Sequence, residues 1–404
     1  MTVDPAGRRR ALAVLSVALM LSMTTWFSAS AVLPQLRAEW DLSRTAGSFL
    51  TIAVQLGFVG GAVLSAALNL PDLVAPRRLM LLGSVVAATA NLGLLVADGP
   101  ASALPLRALT GAALAAVYPP AMKEVATWFR RGRGVALGVM VGALTVGSAA
   151  PHLVNALGGV DWRVVVATTS ALTVAGGAIA VVAGRDGPYP FPRATFDPRQ
   201  ARAALAHRGV RLATVGYLGH MWELYAMWTW FGVFFLDVLG RHGVGDRDSV
   251  AAYVTFVVIA SGALGCWAGG VLGDRWGRTR TTGTAMAMSG ACAFAVGLLR
   301  DAPLALLVAV CVVWGVTVIA DSAQFSTMVT ELADQRYVGT ALTLQLAAGF
   351  TLTVLTIFLI PVVTDAWTWR WAFALLVPGP LLGAVAMARL LRSPYAAALS
   401  NGRG

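Results

Sequence analysis

Twelve apolar stretches, each long enough to cross a lipid bilayer, follow one another along this chain, and most are separated by short polar connections. Crossing about 30 Å of hydrocarbon takes roughly 20 helical residues. The stretches lie at residues 11–33, 48–70, 79–97, 103–121, 134–157, 164–184, 211–236, 250–272, 281–299, 303–328, 338–362 and 370–391. Because lipid offers the backbone no hydrogen bonds, each is predicted to be an α-helix. The expected fold is therefore an all-α membrane protein with twelve transmembrane helices.

The composition agrees with this prediction. The chain is 57% hydrophobic and 12% charged, whereas roughly 25% of the residues in a typical soluble domain are charged. A soluble chain of 404 residues could not cover so much apolar surface with so few charges.

Residues 185–208 form the one long polar segment, at the middle of the chain. The segment contains four prolines and five arginines, which is typical of a linker with a polybasic character. We therefore predict an N-terminal six-helix bundle over residues 1–184, a cytoplasmic linker over 185–208 and a C-terminal six-helix bundle over 209–404.

Short sequence motifs of the first half recur in the second half, each at nearly the same distance along the chain. Trp162 opens the sixth stretch and Trp369 opens the twelfth, each followed by Arg, at an offset of 207 residues. Gly134 and Gly339 open the fifth and eleventh stretches at an offset of 205 residues. Such spacing indicates duplication of a six-helix unit and two bundles related by pseudo-two-fold symmetry.

The basic residues predict the orientation. With a cytoplasmic N-terminus, 22 of the 30 basic residues lie on the cytoplasmic side, seven lie outside and Arg107 lies within a stretch. This asymmetry favours a multi-pass protein of the inner membrane with both termini in the cytoplasm. The first stretch also resembles a signal peptide, but it is longer than a typical apolar signal region and further stretches follow, so we expect it to be retained.

Several function classes are not supported. The basic residues are scattered in short clusters, so no nucleic-acid partner is expected. Three cysteines within apolar runs and four scattered histidines give no metal or disulfide pattern. No phosphate-binding G-x-x-x-x-G-K-[ST] motif occurs. We expect no cofactor, no metal and no enzymatic activity.

The segment between the eighth and ninth stretches, residues 269–278, reads G-G-V-L-G-D-R-W-G-R. A glycine-rich helix end followed by one Asp and two Arg resembles the cytoplasmic signature loop of the major facilitator superfamily of transporters. In that family the loop latches helix ends and stabilises the outward-open state. The resemblance implies a cytoplasmic gate that includes an acid on the tenth stretch. Its residues are Gly270, Asp274, Arg275, Gly277, Arg278 and Glu331.

A simpler interpretation is a positive-inside loop, which would need arginines but neither the Gly nor the Asp spacing. The corresponding segment of the first half, residues 69–78, is a poor match, because Pro76 replaces a Gly and Asp72 is displaced by one residue. Whether this first-half loop is functional is left open.

The fourth stretch carries Arg107, followed four residues later by Gly111. This pair resembles a second element of the same family. An arginine inside a span costs at least about 2.5 kcal/mol on insertion scales, so a functional role is the first hypothesis. The alternative is that Arg107 extends its charged head to the membrane surface.

The seventh stretch carries His220 and Glu223, which share a helix face at a spacing of three residues. Glu223 lies some eleven residues into the stretch, roughly 16 Å deep and near the bilayer midplane. A carboxyl group removed from water there can carry a proton at neutral pH. The alternative is a hydrogen bond that holds neighbouring helices together.

In the family, helices one, four, seven and ten line the central cavity. The resemblance therefore places Glu223, His220, Asp321 and Arg107 in a cavity for proton coupling and substrate, together with Trp26 and Gln324. The two acids and one Arg favour a neutral or cationic solute.

The expected function is secondary active transport of a small organic solute, coupled to protons, by a monomer in the bilayer. The near-match Gly147 to Pro151 to an antiporter signature leaves symport and antiport open. The alternative function is a non-transporting membrane sensor or scaffold on the same fold.

Overall fold

The computed structural model describes residues 7–129, 132–158, 161–189, 203, 206–334, 338–400 and 402–404, with the backbone alone for residues 71 and 72. These residues form helices and short connections, and no strand occurs among them.

We number the main helices α1 to α12, each made of one to three segments. The first six are α1 (Arg8–Ser22, Met23–Thr25 and Ser28–Ala31), α2 (Arg44–Ala67), α3 (Pro76–Leu92), α4 (Pro100–Leu114 and Tyr118–Ala126), α5 (Arg133–Leu157) and α6 (Trp162–Ala183). The next six are α7 (Arg208–Arg241), α8 (Arg247–Trp276), α9 (Arg278–Leu298), α10 (Leu304–Ala320 and Ser322–Leu332), α11 (Val338–Trp367) and α12 (Trp369–Ala372, Phe373–Leu376 and Pro378–Leu391).

Ten of these helices are long and apolar enough to cross a membrane. The other two are α1, whose first segment ends after 15 residues, and α7, which is 34 residues long but carries polar and aromatic groups such as His220 and Glu223. The described helices are consistent with the twelve predicted spans. Most of the predicted linker, residues 190–202 and 204–205, lies outside the described residues.

The first apolar stretch is interrupted, contrary to the prediction of one helix over residues 11–33. It tightens into a 3₁₀ turn at Met23–Thr25 and resumes at Ser28. The Thr24 hydroxyl donates to the carbonyl of Leu21 at 2.9 Å, and the Ser28 hydroxyl donates to that of Thr25 at 3.0 Å. Such local bonds compete with the regular helix ladder.

Three other predicted helices are also interrupted: the tenth, the fourth, and the twelfth, which tightens into a 3₁₀ segment at Phe373–Leu376. The tenth is broken at Asp321, and the fourth is broken after Leu114, ahead of the prolines at 119 and 120. Proline cannot donate to the helix ladder and disfavours a helical residue before it, which accounts for the second break.

The helix pair α5 and α8 joins the chain before the linker to the chain after it. Their contact depends on glycine: a Cβ added to Gly138 would lie 2.5 Å from the carbonyl oxygen of Cys266. A Cβ on Gly270 would lie 2.9 Å from the carbonyl oxygen of Gly134. Only residues without a side chain allow the two backbones to come this close.

The helix pair α2 and α11 forms a second junction. The rings of Phe58 and Phe350 lie 4.6 Å apart near the middle of these helices. At one end, Arg44 pairs with Asp365 at 2.7 Å. We call this end of the molecule the far face, and the opposite end, which carries residues 273–278, the loop face.

Candidate functional site

The predicted signature loop is centred on Arg278, at the start of α9. Its guanidinium donates to both carboxylate oxygens of Glu331 on α10, at 2.9 and 2.8 Å. It also donates to Oε1 of Gln324 at 2.9 Å, and it lies 3.4 Å from Oδ1 of Asp274. A bidentate charge-assisted pair of this kind is strong and directional. It ties the beginning of α9 to the second segment of α10.

Asp274 lies close to the beginning of α5. A Cβ added to Gly134, the second residue of that helix, would lie 2.7 Å from Oδ1 of Asp274. A carboxylate at a helix N-terminus is favoured by the positive end of the helix dipole. Asp274 therefore links α8 to α5, across the boundary between the two halves of the chain.

The other Arg of the motif behaves differently. Arg275 is exposed, and no ion pair to it occurs within the described part of the chain. The sequence motif does not distinguish Arg275 from Arg278, but the structure does. Arg278 is buried, and Arg275 faces the solvent or headgroup region.

The C-terminal residues Ser400 and Arg403 contact this loop, which the sequence did not predict. The Ser400 hydroxyl donates to the carbonyl of Gly273 at 3.0 Å, and Arg403 donates to that of Asp274 at 2.8 Å. Gly277 has a φ of +105°, and a Cβ there would lie 2.5 Å from the carbonyl oxygen of Arg403. No motif marks the segment, because its contacts are made mainly with backbone atoms.

Glu223 lies in the interior of the helices that follow the linker. Its Oε1 accepts hydrogen bonds from the Ser289 hydroxyl at 2.7 Å and from the Trp314 indole at 2.6 Å. Ser289 is on α9 and Trp314 on α10. Glu223 is 2% exposed, and no salt bridge to it is found within the described residues. The carboxyl group is thus buried among neutral donors.

His220, one turn before Glu223, has a different partner. Its Nδ1 lies 2.8 Å from Oδ1 of Asp321, and both side chains are buried. Asp321 is the residue at which α10 is interrupted. Glu223 therefore contacts α10 at Trp314, and His220 contacts it at Asp321. The three titratable groups Glu223, His220 and Asp321 thus lie close together between α7 and α10.

Gln324 belongs to the loop-face cluster and not with these three groups. Its amide accepts from Arg278 and donates to the carbonyl of Gly269 at 3.1 Å. The prediction placed Gln324 in the cavity with Asp321 because both lie on the tenth stretch, which the family resemblance assigns to the cavity lining. The interruption of α10 at Asp321 separates them, and Gln324 lies in the second segment, against α8 and α9.

Arg107 does not extend to the membrane surface, because it is fully buried. It donates to the carbonyls of Trp26 at 2.6 Å and Thr25 at 3.1 Å, and to Oδ1 of Asn91 at 3.0 Å. Further bonds reach the Ser28 hydroxyl and the carbonyl of Leu50. These acceptors lie on α1, α2 and α3, so the structure does not bring Arg107 together with Glu223 or Asp321. Arg107 instead satisfies carbonyls that the interruption of α1 leaves free.

Aromatic rings fill the space between the two halves near their middle. Trp26 lies 4.8 Å from Phe58, 5.9 Å from Tyr225 and 5.7 Å from Phe350, measured between ring centroids. These rings come from α1, α2, α7 and α11. Trp26 is 1% exposed, and its indole nitrogen has no hydrogen-bond partner among the described residues. We call these four residues the central aromatic cluster.

Of this cluster, sequence reasoning identified Trp26 alone. Single aromatic residues in apolar stretches are common in helix packing and at lipid interfaces, so Phe58, Tyr225 and Phe350 carried no distinct signal. Among the described residues, no three His, Cys, Asp or Glu come together as a metal site.

Comparisons with known proteins agree with this architecture. A crystal structure of a bacterial homolog of the human lysosomal transporter Spinster, in an inward-facing and unoccupied conformation, is similar to this chain with a TM-score of 0.68 and 14% sequence identity. The alignment covers 99% of this chain and 98% of that one. At this identity the likeness concerns the fold alone.

No curated protein sequence matches the chain at a significant level. The sequence profile of the Major Facilitator Superfamily matches residues 15–350 and 246–403, which together span nearly the whole chain. The protein therefore belongs to the major facilitator superfamily of membrane transporters.

Proposed function

We propose that this protein is a proton-coupled secondary transporter that moves a small organic solute across the inner membrane by alternating access. The helices before the linker and those after it would move against each other about the α5–α8 and α2–α11 junctions. Membership of a transporter family supports the general function. The class of solute and the proton coupling are our inference.

The carboxyl group of Glu223 is the observation that carries the proposal. It is buried near the middle of α7 and accepts hydrogen bonds from Ser289 and Trp314. Neutral donors can hydrogen-bond to a carboxyl group whether it is protonated or ionised. The site therefore suits a group that changes its protonation state during a transport cycle. The neighbouring His220–Asp321 pair offers a second position for the proton.

The loop-face cluster would form the gate. On the topology that the arginine count favours, the loop face lies in the cytoplasm and the far face outside. Asp274 beside the beginning of α5 and the pair of Arg278 with Glu331 would hold the loop face closed. Opening this face requires the Asp274 contact to separate, because it joins the two halves.

The central aromatic cluster would contact the solute. Aromatic ring faces bind apolar surfaces and attract cations, and the unpartnered indole N–H of Trp26 can donate to an acceptor on the solute. These features favour a neutral or cationic organic molecule. We further propose that the transporter works as a monomer in the bilayer, with this solute and protons as its partners.

The experiment begins with a solute screen. A compound that binds the folded protein raises its apparent thermal stability in detergent. Each compound found is then offered to proteoliposomes with and without a pH gradient. Wild-type protein should concentrate it only in the presence of the gradient. A ligand that binds but is never transported would instead favour a sensor or scaffold.

Glu223→Gln tests the role of the carboxyl group. The amide mimics the protonated form in shape, so binding and solute exchange should persist while accumulation driven by the gradient is lost. Asp237→Asn is the matched control, because Asp237 is on the same helix but at the surface, paired with Arg241. If Glu223→Gln still accumulates solute in response to the gradient, Glu223 is structural and Asp321 becomes the next residue to test.

A further inference from the structure

A small cavity, lined mainly by apolar residues, lies at the far face, where the two halves of the chain meet. Its volume is about 30 Å³, which is enough for a water molecule. Four helices line it: α1 with Ser30, α5 with His152 and Asn155, α7 with Gly232, and α8 with Asp248. The first two helices precede the linker and the last two follow it. Parting of the halves at this face would therefore open the cavity.

His152 is the buried titratable group of this cavity. Its side chain is 3% exposed, and its Nε2 has no hydrogen-bond partner among the described residues. Its Cε1 would lie 3.9 Å from a Cβ placed on Gly232 of α7, so the ring packs directly across the boundary. A buried ring nitrogen without a partner is costly and needs an explanation.

The neighbouring polar groups are occupied by other partners. Asn155 donates to the carbonyl of Ala31 at 3.0 Å and accepts from Gln35 at 3.3 Å. The Ser30 hydroxyl pairs with that of Thr51 at 2.6 Å. None of these three hydrogen bonds involves His152.

Charge around His152 is sparse. Of the residues that line the cavity, Asp248 is the one titratable side chain besides His152, and it is exposed. The lining residues on α7 are Gly232, Val233 and Leu236, and none of them titrates. The lining residues on α1 and the connection after it are Ser30, Ala31 and Pro34. An imidazolium at this position would be buried with a single exposed carboxylate near it, which is costly while the halves are together.

We propose that His152 is a proton-binding site whose occupation favours separation of the two halves at the far face. When the halves part, water reaches the ring through the cavity, and Nε2 takes its proton from that water. The protonated ring then resists closure until the proton leaves. This inference does not depend on the role proposed for Glu223, which lies on the other side of α7, toward α9 and α10.

The size of the effect follows from linkage. A solvated imidazole has an ordinary pKa of about 6.5. If the ring is protonated only in the separated arrangement, lowering the pH from 8 to 5.5 multiplies the ratio of separated to closed molecules about tenfold.

The test measures a distance across the far face as a function of pH. Spin labels are placed at Leu157→Cys, at the end of α5, and Gly245→Cys, before α8. Leu157 is 79% exposed, and a Cβ at Gly245 has open space around it. The native cysteines Cys266, Cys292 and Cys311 are replaced by Ala. In lipid nanodiscs, double electron–electron resonance should show a ratio of long-distance to short-distance populations that rises about tenfold between pH 8 and pH 5.5.

His152→Gln keeps a polar side chain of similar size but cannot bind the proton, so the long-distance population should become nearly independent of pH. His242→Gln is the matched control, because His242 follows the end of α7 at the same face and does not line the cavity. It should respond as the wild type does.

Two results would overturn the proposal. One is a wild-type distance distribution that does not change between pH 8 and pH 5.5. This result does not depend on whether any His152 variant folds. The other is a full acid response in His152→Gln. Should the Gln variant aggregate, His152→Asn provides the same measurement.

Discussion

Nδ1 of His220 lies 2.8 Å from Oδ1 of Asp321, and this buried contact ties the middle of α7 to the interruption of α10. The pair is the one ion-pair contact found between two fully buried side chains among the described residues. Removing one partner of such a pair leaves the other without compensation in a region of low polarity.

We therefore expect Asp321→Asn to lower the free energy of unfolding by about 1–3 kcal/mol, because the buried polar atoms of His220 lose the carboxylate beside them. Thermal unfolding followed by circular dichroism in mild detergent measures the loss. Asp301→Asn is the control, since its carboxylate is 61% exposed and pairs only at the surface. Equal stability of the two variants would show that the buried contact does not hold the helices together.

Arg107→Ala should be more damaging than replacement of a surface arginine. The substitution leaves the carbonyls of Thr25 and Trp26 unpaired, and each buried unpaired group costs about 1–3 kcal/mol. Arg163→Ala should change the stability by less than about 1 kcal/mol, because its pair with Glu39 is exposed. The same unfolding measurement compares them. A stable Arg107→Ala protein that fails only in transport would instead indicate a direct role for Arg107 in the cycle.

The two arginines of the signature loop should differ in effect. Arg278→Gln breaks the bidentate pair with Glu331 and should reduce both stability and solute accumulation, with a stability loss of about 3–5 kcal/mol. Arg275→Gln should stay within about 0.5 kcal/mol of wild type, because Arg275 is exposed. Accumulation in proteoliposomes, at equal reconstitution, reports the functional part. Equal defects in both variants would favour a general need for positive charge in this loop.

The topology can be checked with fused reporters. An enzyme reporter after Gly187 should be active as a cytoplasmic protein, and one after Gly243 should be active outside the membrane. The distribution of basic residues between the two sides is the physical basis for this expectation. Finding both reporters in one compartment would contradict the arrangement of six plus six helices.

The sequence predicted the helical class, the family and the burial of Glu223, because hydropathy and helix length determine which residues lie deep in the bilayer. It did not predict how each helix is rotated or where it is interrupted. The contact of Gln324 with Arg278 was not predicted for this reason, since Gln324 lies in the segment of α10 that follows the interruption. The hydrogen-bond partners of Arg107 could not be predicted either, because four of its five acceptors lie more than 50 residues away in the chain.

The central aromatic cluster also provides an intrinsic fluorescent probe, the indole of Trp26. The indole of Trp26 is buried between the two halves beside Phe58 and Tyr225. When the halves part, water will reach this ring, and its fluorescence emission will shift to longer wavelength. Twelve other tryptophans contribute to the signal, so the difference between wild type and Trp26→Phe isolates the shift. If the halves separate as proposed, their opening can thus be followed in real time without a chemical label.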